Sequence, residues 1–247
     1  MNERRRVDAQ PAFVLHSIPF RETSLIVEVF SRDFGRVSLL ARGARRPRSA
    51  IRGLLMGFQP LEIGWAGRGE VMTLMKAEWQ GGQPLLSGKA LFCAYYLNEL
   101  LLNLLPREDA HEALFAVYAR TLRAFADGVR EADLRHFERS LLQELGYGLT
   151  LTHDVEGQAI ESDAWYRYEV ERGPVHVASR GDDGSGEVTD SAWLVRGRTL
   201  LDLAAGTLAD AASASQGKQL MRALIHHYLG GETLATRKIL RELQEPT

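Results

Sequence analysis

Between residues 12 and 79 apolar and polar positions alternate in short runs rich in β-branched side chains. AFVLHSI (12–18), TSLIVEVFS (23–31), FGRVSLLA (34–41), FQPLEIGWA (58–66) and EVMTLMKAEW (70–79) each have the length and period of a β-strand. Turn signals at Pro19-Phe20, Asp33 to Gly35 and Gly67 to Gly69 separate several of them. In the second run Leu25, Val27 and Val29 share one face and Ile26, Glu28 and Phe30 the other, so the outer face is only partly polar. Such a sheet closes rather than lying flat. Five antiparallel strands with a longer third connection suit the five-stranded Greek-key barrel called the OB-fold.

After Gln80-Gly81-Gly82-Gln83-Pro84 the period becomes helical. Ser87 can cap a helix that runs to about Leu105 and stops at Pro106; a second starts near Asp109 and ends near Gly128; a third spans about 131–145, with Gly146 as a left-handed cap. These three are expected to form a small bundle. Residues 149–206 hold short strand-like pieces, WYRYEVE (165–171) and PVHVAS (174–179), and the loop RGDDGSGEVTDS (180–191). Two further helices, 216–229 and 232–243, meet at Gly230-Gly231. The expected architecture is α+β and multidomain: a barrel over 1–80, a helical domain over 85–148, a small third region over 149–215, and C-terminal helices over 216–247 packing on the helical domain.

At 247 residues and 45 % hydrophobic content the chain can build one large core or two to three small ones. Its start, MNERRRVDAQPAF, is basic but lacks the apolar run of a secretory signal, which places the protein in the cytoplasm. The apolar stretch 90–105 is interrupted by Asn98, Glu99 and Asn103 and falls short of the roughly 20 apolar residues of a membrane span, so it is a buried core helix. Cys93, the single cysteine, excludes an internal disulfide and a cysteine-rich zinc site. Charge alters the picture more than composition does. The formal net charge of −2 divides into +5 over residues 1–80 (13 Lys/Arg, 8 Asp/Glu) and −7 over the remainder.

Five of those 13 basic residues lie in ARGARRPRSAIRG (41–53), where Arg42, Arg45, Arg46, Arg48 and Arg52 occur without an acid. Guanidinium forks match phosphate oxygens, so an acid-free cluster in the third connection of a small barrel is a footprint for nucleic acid. A solvated surface loop is the plainer alternative. Arg21, Arg36 and Arg68 extend the candidate surface. Phe20, Phe34 and Trp65, with Phe30 beside them, are candidates for base stacking, although burial in the core competes for each.

Catalytic signals are weak. The chain has no Walker A loop, no G-x-S-x-G elbow and no G-x-G-x-x-G. His226 and His227 point about 100° apart on a helix, one toward the core and one toward solvent, which is poor geometry for a shared metal. His153, Asp154 and Glu156 lack a second ligand cluster, and DDGSGEVTD lacks the alternating acids of a calcium loop. Pairs such as Glu131/Arg135 and Arg135/Glu138 have the spacing of ordinary helix salt links, each contributing a few tenths of a kcal/mol. No enzyme activity is expected, and no metal or other cofactor.

Four ordered blocks resemble one family. AFVLHSIPFRETSLIVEVFSRDFGRVSLLARGARRPRS, YYLNELLLNLLPREDAHEALFAVYARTL, LRHFERSLLQELGYGL and YLGGETLATRKILREL are similar to successive segments of the bacterial recombination mediators of the RecO family. The resemblance covers almost the whole chain. It implies an amino-terminal OB-fold, a central helical domain and a third region that in part of the family carries a four-cysteine zinc site. Here residues 153–173 contain no cysteine, so packing rather than metal must hold that region.

The resemblance further implies binding of single- and double-stranded DNA and annealing of complementary strands. It also implies docking of the acidic tail of the single-stranded-DNA-binding protein, and action with RecR to load RecA. For the tail it suggests an apolar pocket with a basic rim, with Phe115, Tyr118, Arg135, Arg139 and Leu142 as candidates. Two other classes remain open on the residues alone: an RNA-binding OB protein of translation or RNA maturation, and a metal-dependent nuclease using Asp154 and Glu156.

Overall fold

A computed structural model describes residues 5–177, 192–208 and 210–244. The loop expected over 180–191 and the end of the run 174–179 lie outside the described residues. The chain forms two compact units; the first runs to Gly128 and takes the chain back at Leu234, and the second is Val129–Thr233.

In the first unit β1 (Arg5–Phe20), β2 (Ser24–Ser31), β3 (Gly35–Ala41), β4 (Leu61–Gly67) and β5 (Val71–Trp79) close a barrel in the order β1-β2-β3-β5-β4. β1 is longer than its alternating run because it serves two partners. Its first half pairs with β4 from Arg5↔Gly67 to Ala12↔Leu61, and its second half with β2 from Ala12↔Ser31 to Phe20↔Ser24. Closure departs from the all-antiparallel expectation, since β3 and β5 run parallel from Ser38↔Val71 to Leu40↔Thr73. Val27, Val29, Val37, Leu39, Leu61, Ile63, Trp65 and Met72 fill the interior. Full burial of such side chains is worth about 1.5–3 kcal/mol each.

The partly apolar outer face of β2 has a partner. Phe13 and Phe30 are covered by Phe115 and Tyr118 of α3 (Glu112–Asp127), with ring centroids 5.2–6.0 Å apart. Asn98, on α2 (Gly88–Leu104), donates from Nδ2 to the Leu15 carbonyl at 2.8 Å and accepts from the Tyr118 hydroxyl at 2.5 Å. Burial holds that phenol far above its ordinary pKa. Gly35 adopts φ +62, and a Cβ there would lie 1.7 Å from the Asp109 carbonyl oxygen, so the β2–β3 turn requires glycine twice over. Glu99 accepts hydrogen bonds from the amides of Ala235 and Thr236 and so caps α7 (Ala235–Gln244).

α2 and α3 therefore fall in the first unit with the barrel, and the third helix of the expected bundle falls in the second. α3 also begins at Glu112 rather than near Asp109, and the Ser87 side chain makes no cap hydrogen bond. A short additional helix, α1 (Ala50–Leu54), lies inside the third connection of the barrel.

In the second unit α4 (Glu131–Glu144) packs with α6 (Ala211–Tyr228), and α6 in turn with α5 (Gly197–Ala205). β6 (Trp165–Glu169), β7 (Gly173–Val177) and β8 (Leu194–Arg196) form an antiparallel sheet in the order β7-β6-β8. Leu142, Tyr166, Tyr168, Val195, Leu200, Leu203, Leu220 and Leu224 make its core. α4 ends as expected at Gly146 (φ +84), whose amide donates to the Gln143 carbonyl at 3.1 Å while that of Tyr147 donates to the Leu142 carbonyl at 2.8 Å. His226 and His227 are both exposed in the last turn of α6, which corrects the expected division between core and surface.

Candidate nucleic-acid interface

The arginine loop is an anchored structure. Ala44, Ile51 and Leu55 point inward and join the barrel core, with Ala44 and Leu55 buried. Two backbone hydrogen bonds, Arg46 N to Gly43 O and Ser49 N to Arg46 O, fold the loop into successive tight turns before α1, and a third, Arg52 N to Ser49 O, closes the first turn of α1. The loop is tied to the β1–β2 turn by the Arg45 amide, which donates to the Thr23 carbonyl at 2.8 Å. The Arg45 guanidinium adds bonds to the Arg21 and Glu22 carbonyls at 3.2 and 3.3 Å. Arg42, Arg46, Arg48 and Arg52 stay exposed, and among the described residues none of them makes an ion pair or a side-chain hydrogen bond. Four exposed forks thus surround a loop pinned to the barrel core.

The other arginines divide. Arg21 is exposed at the β1–β2 turn with φ +53, and its guanidinium lies 5.3 Å from the Phe20 ring centroid. Arg36 is half-buried, donates to the Leu102 carbonyl near the end of α2, and has its pKa lowered by burial; this side chain docks a helix and is not an open phosphate ligand. Arg68 is exposed in the β4–β5 turn, but the parallel register sets Val71 opposite Ser38. That turn therefore lies toward the Gly35 end of β3, whereas the arginine loop leaves from the Ala41 end.

The stacking candidates are also corrected. Trp65 is 0 % exposed in the barrel core, Phe34 packs edge-on against it at 5.3 Å, and Phe30 is buried under α3. Phe20, partly exposed beside Arg21, remains open to a base. Sequence reasoning missed the loop's anchors. Their signal was present in Ala44 and Ile51, apolar positions set between arginines, and in Leu55 just after the last of them.

A barrel with this loop matches a known family along its length. The family model described as "Recombination protein O N terminal" matches residues 7–82, and "Recombination protein O C terminal" matches 85–238. The chain belongs to the RecO family. It is 65 % identical over 249 residues to the DNA repair protein RecO of Dechloromonas aromatica (strain RCB), covering 99 % of this chain and 100 % of that protein. The DNA repair protein RecO of Azoarcus sp. (strain BH72) is 54 % identical, with 99 % and 100 % covered, and that of Nitrosospira multiformis 48 % identical, with 98 % of each covered.

Five residues suggested by the RecO resemblance as a tail pocket are used elsewhere. Phe115 and Tyr118 are buried in the first unit against Phe13 and Phe30. In the second unit Leu142 is 0 % exposed, and Arg139 caps the end of α5, donating to the Leu203 carbonyl and, at 2.6 Å, to that of Ala204. Arg135 pairs with Glu138 at 2.8 Å with side chains 8 % and 1 % exposed, so this is a buried ion pair and not the surface link its spacing suggests.

In the cysteine-free segment Asp154 Oδ1 accepts the amides of Glu156 and Gln158 at 2.9 and 2.8 Å, closing a turn. Leu151 and Ile160 from the same segment enter the core. Among the described residues no group of three or more His, Cys, Asp or Glu side chains is placed to hold a metal ion. Among them, too, no helix is long and apolar enough to cross a membrane.

Proposed function

We propose that this protein is a DNA repair and homologous recombination mediator that acts by binding DNA without catalytic turnover. In this reading it binds single- and double-stranded DNA through Arg42, Arg46, Arg48 and Arg52, with Arg21 and Phe20 at the edge of the same surface. Neutralised phosphates on two strands repel each other less, so complementary strands can pair. Contacts fall on the backbone, and sequence preference is weak. The protein engages the acidic tail of the single-stranded-DNA-binding protein, which raises its local concentration on coated strands, and with RecR it helps load RecA. Because Phe115, Tyr118, Arg135 and Leu142 are buried and Arg139 is bonded to the end of α5, the proposed docking site for the tail is built from other, exposed residues. It works in the cytoplasm, on the nucleoid.

The observation that carries this reading is the set of four exposed, unpaired arginines held at one end of a closed barrel in a RecO-family chain. Incubation with labelled single-stranded DNA, duplex DNA and RNA of one sequence, with and without magnesium, tests it. DNA is bound and remains intact. Strong preference for RNA would support an RNA-maturation role instead, and metal-dependent cleavage would make the protein a nuclease.

A further inference from the structure

In the second unit a cleft of about 150 Å³ opens where two helices end, and none of its residues serves the DNA surface. Its walls include Tyr147, Tyr168 and Tyr228, the backbone after α4, and Glu171 at the rim. α4 ends one residue before Leu145 and α6 ends at Tyr228, so the negative ends of two helix dipoles meet at the cleft. The last turn of α4 has no basic residue to offset its dipole, whereas that of α6 carries His226 and His227. Glu171 is exposed, and among the described residues it makes no ion pair, since its neighbour Arg172 pairs with Glu169 instead. Tyr147 and Tyr228 stack with centroids 4.1 Å apart and planes 19° from parallel, and Tyr147 is 42 % exposed. Burial, with Glu171 and Tyr147 nearby, raises the Tyr228 pKa above its ordinary value.

A carboxylate, the α4 C-terminus and aromatic faces together select a cation and repel a phosphate. The flat tyrosine stack narrows the choice. We propose that this cleft receives the guanidinium of an arginine presented by a partner protein, lying parallel to the Tyr147 ring and donating to the Glu171 carboxylate. A compact ammonium cannot extend the stack in the same way. None of the residues lining the cleft belongs to the arginine loop.

The probe is N-acetyl-arginine amide, titrated into the isotopically labelled full chain and followed by amide correlation spectra. The expected result is saturable shifts at Gly146, Gly148 and Gly173, with N-acetyl-lysine amide at least fivefold weaker. Glu171→Gln should weaken binding about tenfold, Tyr147→Leu comparably, and Tyr147→Phe less than twofold. Glu171 lies at the exposed rim, so Glu171→Gln keeps the fold and decides the matter even if Tyr147→Leu does not. Absence of saturable shifts, equal binding of the lysine derivative, or an unchanged affinity in Glu171→Gln overturns the proposal.

Discussion

Replacing Arg46 and Arg48 together with alanine should change the salt dependence of single-strand binding by a calculable amount. Each arginine on a phosphate of a single strand contributes about −0.7 to the slope of log K against log salt. Of the five loop arginines, Arg45 is bonded to the Arg21 and Glu22 carbonyls, which leaves Arg42, Arg46, Arg48 and Arg52 for DNA. Four contacts give a slope of about −2.8, or roughly a fiftyfold loss of affinity between 50 and 200 mM salt. The double variant should fall to about −1.4 and lose only about sevenfold over the same range. Fluorescence anisotropy of a labelled oligothymidine across a salt series measures both slopes. Arg45→Ala provides the contrast, because it loosens the loop without removing a phosphate ligand: affinity drops while the slope stays close to that of the parent. A double variant with the parent's slope would show that these side chains are solvated charge, and the assignment would fail.

Four further outcomes test the fold beneath the site. Gly35→Ala forces a left-handed alanine, costing about 1–2 kcal/mol, and also a backbone clash with Asp109, so its denaturation midpoint should fall by more than that conformational cost alone. Tyr118→Phe removes the hydroxyl bonded to buried Asn98 and should cost about 1–3 kcal/mol in urea unfolding; a loss within error would mean that water replaces it. Arg135→Ala leaves the buried Glu138 carboxylate without its guanidinium and should cost about 3 kcal/mol or more, where a surface link would cost a few tenths. Burial raises the Tyr168 phenol to about 12, so the fold favours its neutral form. That stability is complete below about pH 10, the ordinary tyrosine value, and is lost as pH rises through about 12. Absorbance of phenolate during alkaline titration should show this tyrosine ionising late in the parent and missing in Tyr168→Phe.

The barrel was legible because alternation is a local property: each of the five runs carries its own period, and β2 to β5 lie where that period is found. β1 extends back to Arg5 for a nonlocal reason, since its first half exists only as a partner of β4. The Gly146 cap was readable from one residue, whereas the partners of α2, α3 and α4 were not. α3 and α4 are amphipathic and α2 is apolar along most of its length, and nothing in their period states which surface each one covers. At the candidate site the charge of ARGARRPRSAIRG identified the segment, but charge alone does not separate an arginine that is free from one that is bonded. Arg45 and Arg36 were lost to backbone carbonyls distant in sequence, and Arg139 likewise. Trp65 shows the same limit for aromatics: it is fully buried in the barrel, the reading its sequence context favoured over a stacking platform without being able to decide it.

The central claim is that the barrel's arginine surface brings two strands together. Annealing of two complementary labelled oligonucleotides, followed by energy transfer in the presence of EDTA, tests it most directly. The protein should accelerate pairing without metal and leave both strands intact. The folded variant with Arg42, Arg46, Arg48 and Arg52 all replaced by alanine should return the rate to that of free DNA. Acceleration undiminished in that variant would contradict the account.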